Sequence, residues 1–475
     1  MDYNQQRDIF NQLLAPSGTR EYIINDIKEY SKKGLLHVLY NKYLSKLGYS
    51  SNIILPYYNE FSIDREHIVI INNPKDAERI AVNHIKKTPY LKPFVYESII
   101  STTDSDNWKI QRRNYQQAFS IENELKKIIP ISNARVKLSM DILRDLPRYC
   151  DNEYTDIHEF FLNETMAQLM LAMFGFSDEF QQETNKKIRK AFLKNDPVYA
   201  TKFISIFFEE IKKSVGPLSN YMKERNKFHE NKNELIGNSL IFPFAGHDTT
   251  ANTLSWLIYE ICKNKKVYTK LQKEVDIFWD THDENNIKYE DLKELKYMTR
   301  CIHETLRLWT SIPNGTSREL VYDDYITGKN GQKVKLSAGT YVQIPNWSRH
   351  RNPELWGDDV LIFNPERDFK AEEIYANYGI AGYNPNTARF SPFTYGPRDC
   401  IGKNFSQIEM RLILIHLLKN FKFTLPKSQL EKYSQDTISF NAATLSPRNI
   451  FNTNLYEKKY GMYINVIPKK INSKL

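Results

Sequence analysis

Cys400 stands in the stretch Phe393-Thr394-Tyr395-Gly396-Pro397-Arg398-Asp399-Cys400-Ile401-Gly402, between two glycines and just ahead of an apolar run. These residue types suit a thiolate that ligates a metal. Glycines let the backbone turn sharply and approach a flat cofactor. Free N–H groups at the start of a helix stabilise negative sulfur, and an arginine nearby can pair with a cofactor carboxylate. On the turn alone, a buried structural cysteine explains the stretch equally well, because free cysteines are commonly buried.

Three other stretches could carry chemistry. In Glu304-Thr305-Leu306-Arg307 the acid and the base share one helix face. Taken alone, this is an ordinary surface ion pair worth well under ~1 kcal/mol. Ala245-Gly246-His247-Asp248-Thr249-Thr250 puts an acid and hydroxyls inside an otherwise apolar run, 234–262, where such side chains are poor choices. The plain alternative is a local kink, with Thr249 bonding back to a carbonyl and Pro243 removing a helix bond. Trp108-Lys109-Ile110-Gln111-Arg112 sets a tryptophan and an arginine one helical turn apart, a spacing that any surface helix can show.

The elements that must position these residues are mostly helical. Residues 21–48 read as helix, 66–72 as a β-branched strand, and a helix begins near Pro74. From roughly 108 to 310 the pattern stays helical. Residues 316–363 change character: TYVQI at 340–344 reads as a strand and GKNGQK at 328–333 as a hairpin turn. After Cys400, a helix over 402–421 is apolar nearly all round and belongs in a core. The expected fold class is mainly α with a small β region. That region is discontinuous, drawn from about 50–75 and 316–363, so residues 1–475 are expected to form a single co-folded domain.

Composition excludes several classes. Hydrophobic residues make up 41% of the 475, enough for a large core and too many for a disordered chain. The four cysteines form no C-x-x-C pair, so neither a zinc ribbon nor a disulfide scaffold is signalled. The net charge of +9 comes without a dense basic block interleaved with aromatics, which argues against nucleic acid. No apolar run of membrane-spanning length and no signal peptide is visible. The expectation is a soluble, cytoplasmic protein with at most peripheral membrane contact.

Together the motifs resemble the cytochrome P450 family. The cysteine loop matches F-x-x-G-x-R-x-C-x-G at every fixed position, Glu304 and Arg307 match E-x-x-R, and 245–250 matches A-G-x-D-T-T, in family order over about 35–465. The resemblance implies the P450 fold, haem b as cofactor and Cys400 as the axial iron ligand. It implies that Phe393 packs near the sulfur and that Gly402 belongs to the cofactor-binding loop. Arg398, Trp108, Arg112 and Arg318 would hold the haem carboxylates. Glu304, Arg307 and Arg367, the last in Pro365-Glu366-Arg367, would form a network locking the loop. Asp248 and Thr249 would relay protons to bound oxygen, and Gly246 would leave room for that oxygen. His350, in HRNPELWGD at 350–358, also matches a family stretch, whereas the pattern gives His247 no role.

Two departures stand out. Asp368 follows Arg367 where the family usually has an aromatic residue, with Phe369 one place later. The stretch between Gly175 and Ala245 is short, about seventy residues, so helices over the substrate pocket are expected to be trimmed. The implied activity is insertion of one oxygen atom from O2 into an apolar small molecule. Electrons would come from a separate donor such as an NADPH-dependent flavoprotein reductase. Two other readings keep the haem: a peroxide-using enzyme or isomerase, and a non-catalytic haem-binding protein. Pocket walls would come chiefly from 88–107, 176–205, 311–317 and 438–449.

Overall fold

A computed structural model of the chain describes residues 13, 15–56, 67–120, 122–146, 154–178, 206–227, 232–370, 373, 387, 389–426, 444–447 and 461–469. Much of the shortened stretch, and the expected pocket walls at 179–205, 438–443 and 448–449, lie outside the described residues.

The described chain is mainly helical, with a small β region. The expected helix over 21–48 is two helices, Arg20–Lys32 and Leu36–Leu47. The break falls at Gly34, whose φ of 67° leaves the helical region. Asn73 caps the helix Pro74–Asn83 by accepting from the N–H groups of Lys75 and Asp76, and Pro74 opens it where its missing N–H costs nothing.

Strands β1 (Ile53–Pro56) and β2 (His67–Ile70) pair antiparallel. After them in the chain come β3 (Thr155–Asp156), β4 (Thr316–Glu319), β5 (Asp324–Thr327), β6 (Lys333–Leu336) and β7 (Tyr341–Ile344). One sheet runs β1-β2-β7-β4 and so joins strands hundreds of residues apart in the chain. The β2–β7 step is parallel, with Val69 opposite Val342. β5 and β6 form the expected hairpin. β8 (Phe421–Thr424) and β9 (Tyr463–Pro468) pair antiparallel, and β9 also pairs with β3.

The main core lies among the helices. The long helix Lys232–Lys263 packs against Ile157–Gln168, Lys265–Thr281, Lys296–Leu308 and Lys403–Asn420. Trp256 of the long helix stacks on Trp309 at 4.1 Å and 6° between planes, and the Trp309 indole donates to Glu260 Oε1 at 2.8 Å. Helix Lys403–Asn420 is buried from Phe405 to Leu418 apart from Ser406, as a helix apolar on all sides requires. At its start Phe405 meets Phe119, which in turn stacks on Phe242. This aromatic bridge ties the Ser105–Ser120 helix and the long helix to the residues just after Cys400.

Candidate active site

The cysteine loop is built by its own backbone. The Cys400 N–H donates to the Phe393 carbonyl at 2.9 Å, Asp399 N–H to Gly396 at 3.0 Å, and Thr394 N–H to Ser391 at 3.0 Å. Thr394 itself has φ 63°, an uncommon region for a β-branched residue; its hydroxyl holds the Arg398 carbonyl at 3.2 Å. Gly396 has φ 76°, and a Cβ there would stand 2.6 Å from the Ala81 carbonyl oxygen. Only glycine lets the loop lie this close to helix Pro74–Asn83, to which the Tyr395 hydroxyl also donates through Glu78 at 2.8 Å.

Behind the loop lies a buried ion network. Arg307 Nε and Nη2 each donate to Glu304 at 2.7 Å, and Arg367 Nε reaches Glu304 Oε1 at 3.2 Å. Arg367 also holds Asp359 Oδ1 at 2.7 Å. The link to the loop runs through His350. Arg307 Nη1 donates to the His350 carbonyl at 2.8 Å, and the His350 ring accepts at Nε2 from the Ser391 N–H at 3.1 Å. Burial, then the charges of Arg349, Arg307 and Arg351, push the His350 pKa well below the ordinary histidine value. A neutral ring is what an N–H acceptor requires. The departure at Asp368 is absorbed locally: Asp368 is exposed, while Phe369 packs against Trp356 and Phe390.

Cys400 is an exposed residue, although neighbouring atoms pack around its sulfur. Burial pushes its pKa up; the Gly402 N–H pulls it down, Asp399 raises it, and Arg112 and Lys403 lower it. Asp399 is the hub of the charges here. It takes Arg112 Nη2 at 2.6 Å and Lys403 Nζ at 2.6 Å, and its carbonyl takes Arg112 Nη1 at 2.7 Å. Arg398 turns inward, donating to the carbonyls of Ile85, Ile99 and Thr102 at 2.9, 3.1 and 3.1 Å. Its guanidinium lies over the Trp108 ring at 4.5 Å. Burial, then the charges of Arg318 and Arg112, bring the Arg398 pKa down to about 9.

Arg318 is fully buried on β4, and burial brings its pKa down to about 10. It donates through Nη1 to Thr316 Oγ1 and to the Ser317 carbonyl, but Nε and Nη2 have no partner among the described residues. Lys87 adds a further cation, its Nζ 2.5 Å from Thr316 Oγ1. Its pKa is pushed well below the ordinary lysine value by burial, then by Arg318 and Arg398. Lys87 belongs to none of the motifs read from the sequence, and no spacing signals it.

The haem that the resemblance implies can be tested against this donor set. Arg318, a buried cation with guanidinium nitrogens to spare, calls for an anionic ligand. An exposed cysteine suits a soft metal. At Gly402, nothing lies within 4 Å of where a Cβ would stand, so backbone there is open to a flat group. A planar, metal-bearing dicarboxylate satisfies all three conditions, and the residues fit it.

On the long helix, the Pro243 carbonyl accepts from His247 Nδ1 at 2.7 Å. The His247 carbonyl accepts from Thr165 Oγ1 at 2.9 Å. His247 therefore ties the turn that follows the proline to helix Ile157–Gln168, a role that the motif did not assign. A Cβ at Gly246 would stand 2.8 Å from Leu169 Cδ2, so the missing side chain also admits Leu169 from the π-helical turn Leu169–Phe174. The Thr249 hydroxyl donates to the Ala245 carbonyl at 2.9 Å, the back-bond that a threonine in a helix readily makes. Asp248 Oδ2 accepts from Thr444 Oγ1 and from Asn252 Nδ2, the latter at 3.3 Å.

Comparison with known proteins points the same way. A sequence model described as "Cytochrome P450" matches residues 199–451, a span that includes Asp248, Glu304 and Cys400. Cytochrome P450 CYP13A2 of Caenorhabditis elegans is 34% identical over 46% of this chain and 38% of its own length. Cytochrome P450 52-N1 of Starmerella bombicola is 35% identical over 41% of the chain and 37% of its own. Cytochrome P450 6a8 of Drosophila melanogaster is 34% identical over 40% and 35%. The chain thus spans less than two fifths of the length of these relatives. The family's cofactor is haem, which this donor set fits. With the family model covering more than half of the sequence, the chain belongs to the cytochrome P450 family.

Proposed function

We propose that the chain is a haem-thiolate monooxygenase that inserts one oxygen atom from O2 into an apolar small molecule. The observation that carries the proposal is Cys400: an exposed cysteine in a loop pinned through Ser391 and His350 to a buried ion network, near Arg318, two of whose donors have no partner among the described residues. Haem ligated by a thiolate supplies cleavage of the O–O bond, favoured by electron density pushed from sulfur.

The chain's own residues supply the rest. Cys400 would hold the iron, with Phe393 and Gly402 shaping the loop beside it. Arg318, Arg398, Trp108 and Arg112 would hold the cofactor carboxylates, joined by Lys87; Arg398 already lies over the Trp108 ring and Arg112 pairs with Asp399. Asp248 and Thr249 deliver protons, for which the Thr249 hydroxyl must leave the Ala245 carbonyl. The other oxygen atom leaves as water, with two electrons from outside the chain. A shallow groove lined by Trp108, Lys109, Arg112, Arg113 and Gln116 suits an acidic flavoprotein reductase. No helix among the described residues is long and apolar enough to cross a membrane. The proposal places the protein in the cytoplasm, with at most peripheral membrane contact.

The test is the absorption spectrum of the purified chain, reduced and exposed to carbon monoxide, beside Cys400→Ala. A strongly red-shifted Soret band that the variant loses supports the proposal. A band at the position of histidine-ligated or free haem, or none, overturns it.

A further inference from the structure

Asp248 is held on one side only. Its Oδ2 accepts both of its hydrogen bonds, from the Thr444 hydroxyl and from the Asn252 amide at 3.3 Å. Oδ1 accepts none among the described residues. Behind Asn252 stands His158, in the first turn of helix Ile157–Gln168, with Nε2 2.8 Å from Asn252 Oδ1. Asn252 and His158 are both buried, at 0% and 1% exposure.

The chemistry of the three groups fixes their polarity. A carboxylate only accepts, so Asn252 must turn its NH2 toward Asp248. Its oxygen then faces His158, and Nε2 of that ring must carry the proton. The Ser446 hydroxyl lies 3.5 Å from the same nitrogen. Thr444 and Ser446 flank Leu445, whose N–H donates to the Ser311 carbonyl at 2.9 Å and whose carbonyl takes the Trp256 indole at 2.9 Å. A short segment near the C-terminal end is thus clamped to the long helix and touches both ends of the Asp248–Asn252–His158 chain.

We propose that Thr444 and the Asn252–His158 pair are positioning residues for Asp248: they fix Oδ2 and leave Oδ1 as the oxygen that takes up and gives up the proton. The inference rests on the reading of Asp248 as the proton donor. An amide does not conduct protons, so His158 acts by fixing the orientation of Asn252. A correctly placed acid contributes ~10²–10⁴-fold, and part of that is lost when the carboxylate can rotate.

Two readouts on the full chain test this. The first is nitrogen NMR of protein labelled with 15N-histidine, as the reduced carbon monoxide complex, with the His158 signal assigned by its loss in His158→Gln. The expected ring is neutral and protonated on Nε2, and its resonances move in Asp248→Asn. A ring protonated on Nδ1, or a signal that Asp248→Asn leaves in place, overturns the proposal. The second is the ratio of product to peroxide per electron supplied. Thr444→Val should lower it about tenfold, a small share of what a placed acid contributes, and Thr444→Ser should restore it. Unchanged coupling in Thr444→Val overturns the proposal. If the chain oxidises nothing while His158 responds to Asp248→Asn, the monooxygenase reading fails and the positioning of Asp248 stands.

Discussion

Around the cysteine loop, charge answers charge: Glu304 holds Arg307 and Arg367, Arg367 holds Asp359, and Asp399 holds Arg112 and Lys403. Along the Asp248–Thr249 stretch the described bonds join no pair of opposite charges. Thr249 donates to its own helix, and Asp248 leans on one hydroxyl and one amide. Buried ionic bonds break only at high cost, whereas a hydroxyl changes partner for about 1 kcal/mol. The contrast matches the proposed division of labour. A metal ligand must stay where it is, while the Thr249 hydroxyl must be able to turn.

The comparison breaks if the loop's network can be cut cheaply. Glu304→Gln leaves two buried guanidiniums facing a neutral amide. It should cost about 3–5 kcal/mol, read as a lower denaturation midpoint or as insoluble protein. A variant as stable as the parent would mean that the network does not hold the loop.

Arg318 sharpens the contrast, because two of its donors have no partner among the described residues. Arg318→Met removes a buried charge with spare donors. It should stabilise the haem-free chain by about 1–3 kcal/mol while weakening haem retention, both read by denaturation with and without added haem. The same sign in both states would refute the assignment.

Glu409 tests the seam between the two regions. It is fully buried on helix Lys403–Asn420, and neither carboxylate oxygen has a well-formed hydrogen bond among the described residues. Its pKa is pushed well above the ordinary value by burial, then by Glu164; Thr250, the nearest hydroxyl, pulls weakly the other way. The folded chain keeps this proton after the unfolded chain has lost its own. The group's contribution is therefore full below the unfolded glutamate pKa and is lost as pH rises toward the folded one. Glu409→Gln mimics the protonated acid. It should match the parent at low pH and exceed it increasingly above pH ~4.5, by about 1.4 kcal/mol per pH unit within that window. Parallel stability–pH curves would show that Glu409 is ionised in the fold.

The smallest effect is expected at Gly246. Gly246→Ala puts a methyl against the end of the Leu169 side chain, which can yield. A loss of about 1 kcal/mol is expected, and it should vanish when Gly246→Ala is added to a Leu169→Ala chain and compared with Leu169→Ala alone. No loss would mean that the glycine serves something other than Leu169.

The sequence by itself determined what is local. Residue types at fixed spacing, through their resemblance to the cytochrome P450 family, named Cys400, Glu304, Arg307, Asp248 and Thr249, and periodicity named the helices that carry them. Pro74, the Gly328–Lys333 turn and the run after Cys400, apolar nearly all round, each gave an element that the structure contains. Tertiary structure alone decided which groups meet across long separations. Lys87 reaches Thr316 because residues 84–88, past the end of helix Pro74–Asn83, run beside β4, where the Glu319 N–H donates to the Lys86 carbonyl. Thr444 and Asp248 lie nearly two hundred residues apart, and His158 reaches Asp248 only through Asn252 of another helix. The leucine that packs against Gly246 comes from a neighbouring helix. The physical reason is the same in each case. Hydrogen bonds and close packing act over a few ångströms in space, while sequence spacing reports neighbours only within one element.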